Sequence, residues 1–301
     1  MENKDKFAVF IACYKNTDVT TYNTLKQYNY NHDNIYLVIG SDDPNKEQFI
    51  EKYGDIVKVF DKDKVEFDHM IDSKNRVYKV ISYFRNYCYE LAEQLGYEYF
   101  IELDDDYDEF CIRYLEGDKL RHLSFGNKVF KDKDMIYKGI MSLIDIIDLD
   151  DRIVAMAWAQ GGDFIGGASS YFMIHGKRKV MNSIIIKTKS KERARSFAGV
   201  INEDVNFYVG NGMIGNICLT VGNLMINQAT TQHKDNNVGM TEVYGKYGTY
   251  YKSYPSVMLC PSGVKIGILN SNTNIMYTRI HHSIDWNKVC PKIISDKYKL
   301  K

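Results

Sequence analysis

Four short apolar runs, rich in β-branched and aromatic residues and separated by polar stretches of helical length, restrict this chain more than any other feature. They fall at 7–13 (FAVFIAC), 35–40 (IYLVIG), 56–60 (IVKVF) and 97–103 (YEYFIEL). Between the first two, a polar segment starting at Asp18 offers Leu25 and Tyr28 for burial. Asp43-Pro44 closes the second run and opens a helix reaching Tyr53. Residues 73–95 place Val77, Val80, Ile81, Phe84, Cys88, Leu91 and Ala92 near a 3.6-residue period, with Ser73 as N-cap and Gly96 as C-cap. Strands alternating with helices in this way predict a parallel sheet with helices on its faces.

The fourth run leads directly into Asp104-Asp105-Asp106, and open parallel sheets bind ligands beyond the carboxyl ends of their strands. Residues 102–109 hold six carboxylates, whose mutual repulsion a cation would resolve. Spaced two apart on an extended segment, Asp104 and Asp106 share one side and can reach a single Mg2+ or Mn2+, with Asp105 pointing away. A divalent ion held by carboxylates and phosphate oxygens neutralises a nucleoside diphosphate both as ligand and as leaving group. The plainer alternative is a solvated acidic turn. Arg85-Asn86 lies in the preceding helix, where the Arg can pair with a phosphate or a base edge, or form a surface salt bridge, and the Asn can lock a neighbouring loop.

The second half is less regular. Residues 134–149 read as an amphipathic helix, 153–159 as a buried strand and 160–170 as a glycine-rich loop suited to ligand contact. Asn202-Glu203-Asp204 precedes an apolar stretch and can start a helix, either as a cap or as part of a site. The 39 Lys and Arg balance 39 Asp and Glu, so no global field selects nucleic acid. Residues 177–195 nevertheless carry eight basic side chains against Glu192 alone and could track phosphates. Six scattered cysteines form no CxxC pair, which points to reduced thiols and a cytoplasmic setting. The charged start lacks a signal-peptide pattern, and no run approaches the ~18 uncharged residues of a membrane span. We expect a single domain over 1–301, with a nucleotide-binding half to about residue 110 and an acceptor-facing half after it.

An Arg-Asn in the helix before a strand that ends in D-x-D resembles the GT-A nucleotide-sugar glycosyltransferases. No GxGxxG follows the first strand and no P-loop is present, which disfavours a Rossmann dehydrogenase and a P-loop enzyme. The resemblance implies a GT-A-like α/β fold with a mostly parallel central sheet flanked by helices. It places Tyr14 after strand one and Asp42 or Asp43 after strand two beside the nucleoside, so Tyr14, Asp42, Arg85, Asn86 and Asp105 form the expected donor-binding set. Asp104 and Asp106 are the expected metal ligands. The acidic pair would begin a helix on the acceptor side, with Asp204 as general base and Glu203 as its rival. A late metal ligand would be His233, in TTQHK, with His281-His282 as a second possibility; Asp285-Trp286 reads as structural.

Taken in order, YFRNYCYELAEQLGYEYFIELDDDY, INEDVNFYVGNG, TTQHKDNNVGMTEVY, YPSVMLCPSGVKI and RIHHSIDWNKVCPKI resemble the TET/JBP-associated glycosyltransferases, a largely phage-encoded group, over roughly residues 7–295. That resemblance implies transfer of a hexose or pentose from a nucleotide sugar, a UDP-sugar foremost, to a 5-hydroxymethylpyrimidine in DNA, with Mn2+ or Mg2+. Tyrosines could then stack on an extruded base. Two other readings stay open from the residues alone. A nucleotidyltransferase would release pyrophosphate, and a non-catalytic nucleic-acid-binding protein would show a steep salt dependence.

Overall fold

The computed structural model describes residues 5–70, 80–130, 133–161, 174–181, 183–228, 251, 253–271 and 277–291. Its first third follows the predicted alternation. Strands β1 (Phe7–Ala12), β2 (Ile35–Gly40), β3 (Val57–Phe60) and β4 (Tyr99–Asp104) alternate with helices α1 (Thr20–Gln27), α2 (Lys46–Tyr53) and α3 (Ile81–Leu95). Helix α3 is shorter than its periodicity suggests: Val80 is extended at φ −108°, ψ 147° and serves as N-cap. Ser73 and Val77 lie outside the described residues. At the other end Gly96 takes the left-handed conformation, φ 72°, that a residue with a Cβ adopts only at a cost.

The large sheet runs in the order β3-β2-β1-β4-β9-β7-β10-β5-β6, with β8 (Ile174–His175) also paired to β10. Parallel pairing, expected of most of the central sheet, holds for β1 to β4, and again where β7 (Ile153–Gln160) lies beside β10 (Ile217–Gln228). Elsewhere the neighbours are antiparallel. One cause is local: β5 (Tyr107–Glu116) and β6 (Lys119–Ser124) are joined by Gly117-Asp118 alone, with Gly117 at φ 60°, and so short a connection can only reverse the chain. The other is that β9 (Ile184–Lys187) enters from the opposite end between β4 and β7.

Alternation along the strands divides the core in two. Phe7, Val9 and Ile11 face α1, α2 and α4 (Met135–Ile147), meeting Leu25, Phe49, Ile140 and Ile144. Ala8, Phe10 and Phe100 face α3 and α5 (Glu203–Met213), meeting Phe84, Cys88, Phe207 and Val209. Glu102, fully buried, breaks the apolar pattern on this second face of β4.

Beyond the large sheet, α6 (Ser253–Leu259) packs on the hairpin of β11 (Val264–Ser271) and β12 (Tyr277–Ile284), followed by the single turn α7 (Trp286–Val289). Asp285 caps that turn by accepting from Asn287 N, and Trp286 stacks on Tyr208 of α5 at 5.7 Å. The approach is close enough that a Cβ on Gly212 would lie 1.9 Å from the Val289 carbonyl oxygen. All six cysteines are free thiols.

Candidate active site

Helix α3 points Arg85 inward at the end of β4, where it is 2% exposed and ringed by acids. Its Nη1 donates to Glu102 Oε2 at 2.9 Å and its Nε to Glu203 Oε1 at 3.2 Å, while Nη2 lies 3.8 Å from Asp104 Oδ1. The guanidinium sits 5.5 Å from the ring of Phe197, itself stacked on Phe207 at 4.1 Å. Burial opposes the charge, but Glu102, Glu203 and Asp104 together hold Arg85 protonated, with its pKa above the ordinary arginine value. Arg85 therefore differs from the expectation of a phosphate, base-edge or surface contact: it joins three elements and keeps their carboxylates in the interior. Asn86 takes the expected role of locking a neighbouring loop. Its amide donates to the carbonyls of Ser82 and Phe197 and accepts from Phe197 N, which locks the loop leading to α5.

Asp104 is the last residue of β4, and Asp105 and Asp106 form a tight turn before β5. The expected extended D-x-D is thus a strand end plus a turn that contains Asp105 and Asp106. The charge of Asp105 raises the pKa of Asp104 and of Cys13, just after β1. Thr21 at the start of α1 fixes this backbone: its Oγ1 donates to Asp104 O and accepts from Tyr107 N at 2.9 Å, and its own N–H donates to Asp105 O at 3.1 Å. Gln228, at the end of β10, bonds both carboxylate oxygens of Asp106 at 2.9 and 3.0 Å. Burial, opposed by Arg85 and reinforced by Asp106 and Asp105, pushes the Asp104 pKa up to about 7. Burial and Asp106 bring Asp105 to about 7, burial raises Asp106, and burial carries Glu102 to about 8 against the pull of Arg85.

Helix α5 starts where Asn202 adopts φ 58°, a left-handed backbone that turns the next two residues into the site. Glu203 is 8% exposed and its carboxylate is bound to Arg85; Asp204 is half-buried. Burial raises both, and the charge of Asp204 raises Glu203 further. Asp204 is drawn back down by the backbone N–H of Val205 at the helix start and by Arg85 and Lys179. Asn202 Nδ2 lies 3.3 Å from Ser256 Oγ and 3.1 Å from His282 Nδ1, so the β12 strand brings His282 beside the acidic pair, with His281 against it at 4.2 Å. His233 lies outside the described residues.

On the nucleoside side, Tyr14 follows β1 with Lys15 Nζ 5.1 Å from its ring centre. Asp42 is exposed and paired with Lys62 at 2.8 Å, whereas Asp43 is buried and accepts from Lys15 N and Asn45 N, both at 2.8 Å. The two aspartates thus divide their work: Asp43 builds the loop and Asp42 faces solvent.

The basic run at 177–195 does not form one track. Lys177 bonds Asn287, and Lys179 is close enough to act on Asp204. Lys187, at the far end of β9, pairs with Asp148 at 3.3 Å, and Arg193 bonds Asn216 beyond the end of α5. An antiparallel strand running between the two groups separates them along its length. Sequence reasoning took Asn202 only with the acidic pair at a helix start and Glu102 only as one of six acids at 102–109, and it did not single out Thr21 or Gln228. Glu102 had a signal, an acid inside an apolar strand; the others act through backbone geometry or partners distant in sequence.

Glu102, Asp104 and Glu203 therefore meet one guanidinium, with Asp204 beside Glu203 and Asp105 and Asp106 in the turn after Asp104. The surplus negative charge and hard oxygen donors of Asp104 and Asp106 suit Mg2+ or Mn2+. Among the described residues no helix is long and apolar enough to cross a membrane. The sequence model of the family described as TET-Associated Glycosyltransferase matches residues 7–237. No curated protein sequence matches the chain. Among solved structures, a mycobacterial protein is similar over 93% of this chain and 84% of its own, at TM-score 0.45 and 8% identity. Glucosyl-3-phosphoglycerate synthase from Mycobacterium tuberculosis, crystallised with Mn2+, UDP-glucose and phosphoglyceric acid, is similar over 91% of this chain and 86% of its own, at TM-score 0.44 and 8% identity.

Proposed function

The chain belongs to the TET-associated glycosyltransferases, and from that premise we propose that it moves a sugar from a nucleotide-sugar donor, a UDP-sugar foremost, to the hydroxyl of a 5-hydroxymethylpyrimidine in DNA. The observation that carries the catalytic part is the meeting of the β4 acids with the acidic start of α5 around Arg85. Asp104 and Asp106 would hold a divalent ion, and Tyr14, Asp42 and Asp105 would line the donor side beyond β1, β2 and β4. When bound, the ion supplies positive charge to the departing nucleoside diphosphate.

Asp204 takes the proton of the acceptor hydroxyl as that oxygen attacks the anomeric carbon. Two features favour it over Glu203: it is the more open of the pair, and Glu203 already accepts from Arg85. Burial raises its pKa and so makes it a better proton acceptor than an ordinary aspartate, while the Val205 N–H at the helix start, Arg85 and Lys179 oppose that rise. Arg85 acts on the reaction through Glu203 and Asp104, as a positioning residue. The acceptor assignment rests on the family, and Lys177 and Lys179 are the basic side chains on the Asp204 side that would meet a phosphate.

The test is incubation of purified protein and Mn2+ with a panel of nucleotide sugars, with and without hydroxymethylcytosine DNA, reading nucleoside diphosphate release and nucleoside mass together. A hexose or pentose mass shift requiring metal, donor and modified DNA is the expected result. Donor hydrolysis that leaves the DNA unmodified discards the acceptor, and pyrophosphate release would identify nucleotidyl transfer instead.

A further inference from the structure

Away from the acidic turn, the face of the β5–β6 hairpin carries side chains of a different chemistry. Among the described residues, Glu109, Cys111 and His122 are the only trio of His, Cys, Asp or Glu whose donor atoms all lie within 4.8 Å of one another. The register explains why they meet. Glu109 and Cys111 are two apart on β5 and share a face. Cys111 stands opposite Ser124 and Arg113 opposite His122, so His122 is the diagonal neighbour of Cys111 on the same face.

We propose that Glu109, Cys111 and His122 form a binding site for a soft divalent transition ion, Zn2+ foremost, separate from the all-oxygen site at Asp104 and Asp106. The donor set decides the ion: thiolate and imidazole favour Zn2+, whereas Mg2+ and Mn2+ favour carboxylate, carbonyl and water. Three protein donors leave the fourth tetrahedral position for water or a ligand. Three atoms at most 4.8 Å apart surround a point no more than about 2.8 Å from each, so closure by at most about 0.5–0.8 Å reaches zinc-ligand distances of about 2.0–2.3 Å.

The surroundings supply what such a site requires. Asn227 Nδ2 donates to Glu109 Oε2 at 2.6 Å, fixing the carboxylate and leaving its other oxygen for the ion. Cys111 is fully buried with its thiol hydrogen-bonded to Glu109, and His122 is exposed, so an ion arriving from solvent meets the imidazole first. Binding replaces the thiol proton, which leaves to solvent as the sulfur becomes a thiolate ligand. The occupied site would clip β6, the last strand of the sheet, to β5, and through Asn227 to β10.

Co2+ titration tests this, using the full chain carrying Asp104→Asn and Asp106→Asn so that cobalt at the oxygen site does not contribute. The expected result is a near-ultraviolet thiolate-to-cobalt charge-transfer band with the intense visible bands of four-coordinate cobalt, both displaced by Zn2+. Cys111→Ser should abolish the charge-transfer band. His122→Ala, at an exposed position that leaves folding intact, should lose the four-coordinate bands. Asn227→Ala should weaken affinity about 10–100-fold. Absence of a thiolate band at saturating cobalt, or the same bands in the Cys111→Ser or His122→Ala protein, would overturn the site, whatever the outcome for glycosyl transfer.

Discussion

Removing the Arg85 guanidinium while Glu102 and Glu203 remain strands two carboxylates in the interior. Arg85→Ala should therefore destabilise the protein by about 3–5 kcal/mol, read by urea denaturation near neutral pH. Adding Glu102→Gln should restore part of that loss, because a neutral amide no longer needs the counter-charge; equal stability of the single and double variants would show that the pair is not coupled. Asp204→Asn carries a different expectation. The fold and donor binding should persist while turnover falls by about 10²–10⁴, measured as nucleoside diphosphate release beside donor titration. At this scale the sequence marked out the charged residues that the structure brings together but not their partners. Arg85 stands out beside Asn86, yet Glu102 is 17 residues away and Glu203 is 118 residues away, and only folding brings them together. Asp104-Asp105-Asp106 was legible as a charge problem, whereas its turn geometry depends on Thr21, 83 residues earlier.

The elements that were easy to read are those whose burial follows their period. Strands β1 to β4 and helices α1 to α4 carry their apolar residues at strand or helix spacing, and their observed limits differ from the expected ones by a few residues except at the start of α3. Strand β10 was not anticipated because Gly222-Asn223 interrupts its apolar run, and the pairing with β7 shifts register between Val221 and Met225. The β5–β6 hairpin was obscured by its charged outer face, since an edge hairpin need bury only part of its surface. Among the described glycines, Gly212 of α5 leaves the least room for a Cβ, facing the 286–291 segment. Gly212→Ala would drive its Cβ into the Val289 carbonyl, so the C-terminal turn must move away from α5. A fall in melting temperature together with increased emission change at Trp286, whose stacking on Tyr208 depends on that packing, is the expected outcome. An unchanged melting temperature would mean that the segment contributes little to holding α5.

For the whole molecule, the acid surplus gathered at the site makes stability depend on pH in an unusual direction. The Asp104 and Asp105 pKa values rise from 3.8 to about 7 on folding, and that of Glu102 from 4.5 to about 8. The native state thus keeps protons that the unfolded chain has released, so stability of the metal-free protein should fall as pH rises from about 4 to about 8. Excess Mn2+ should reduce that slope by replacing protons as the source of positive charge. Melting curves at pH 5 and pH 8, with and without Mn2+, check both statements; a metal-free melting temperature that climbs over this range would contradict the first. The sheet itself explains why the fold was partly legible. Its parallel half is built from consecutive units and so follows chain order, while the other half interleaves β9, β7, β10 and β5 from distant stretches.

Thr21 offers a further use of this architecture. Its N–H donates to the Asp105 carbonyl and that of Tyr107 donates to the Thr21 hydroxyl, so both are tied to the turn that carries Asp104 to Asp106. Turn amides ordinarily trade hydrogen for deuterium quickly, but these two exchange only when α1 and the turn part company. They are thus paired spectroscopic reporters of the turn, whose exchange would slow if added nucleotide sugar or Mn2+ engages it in a protein that is not turning over.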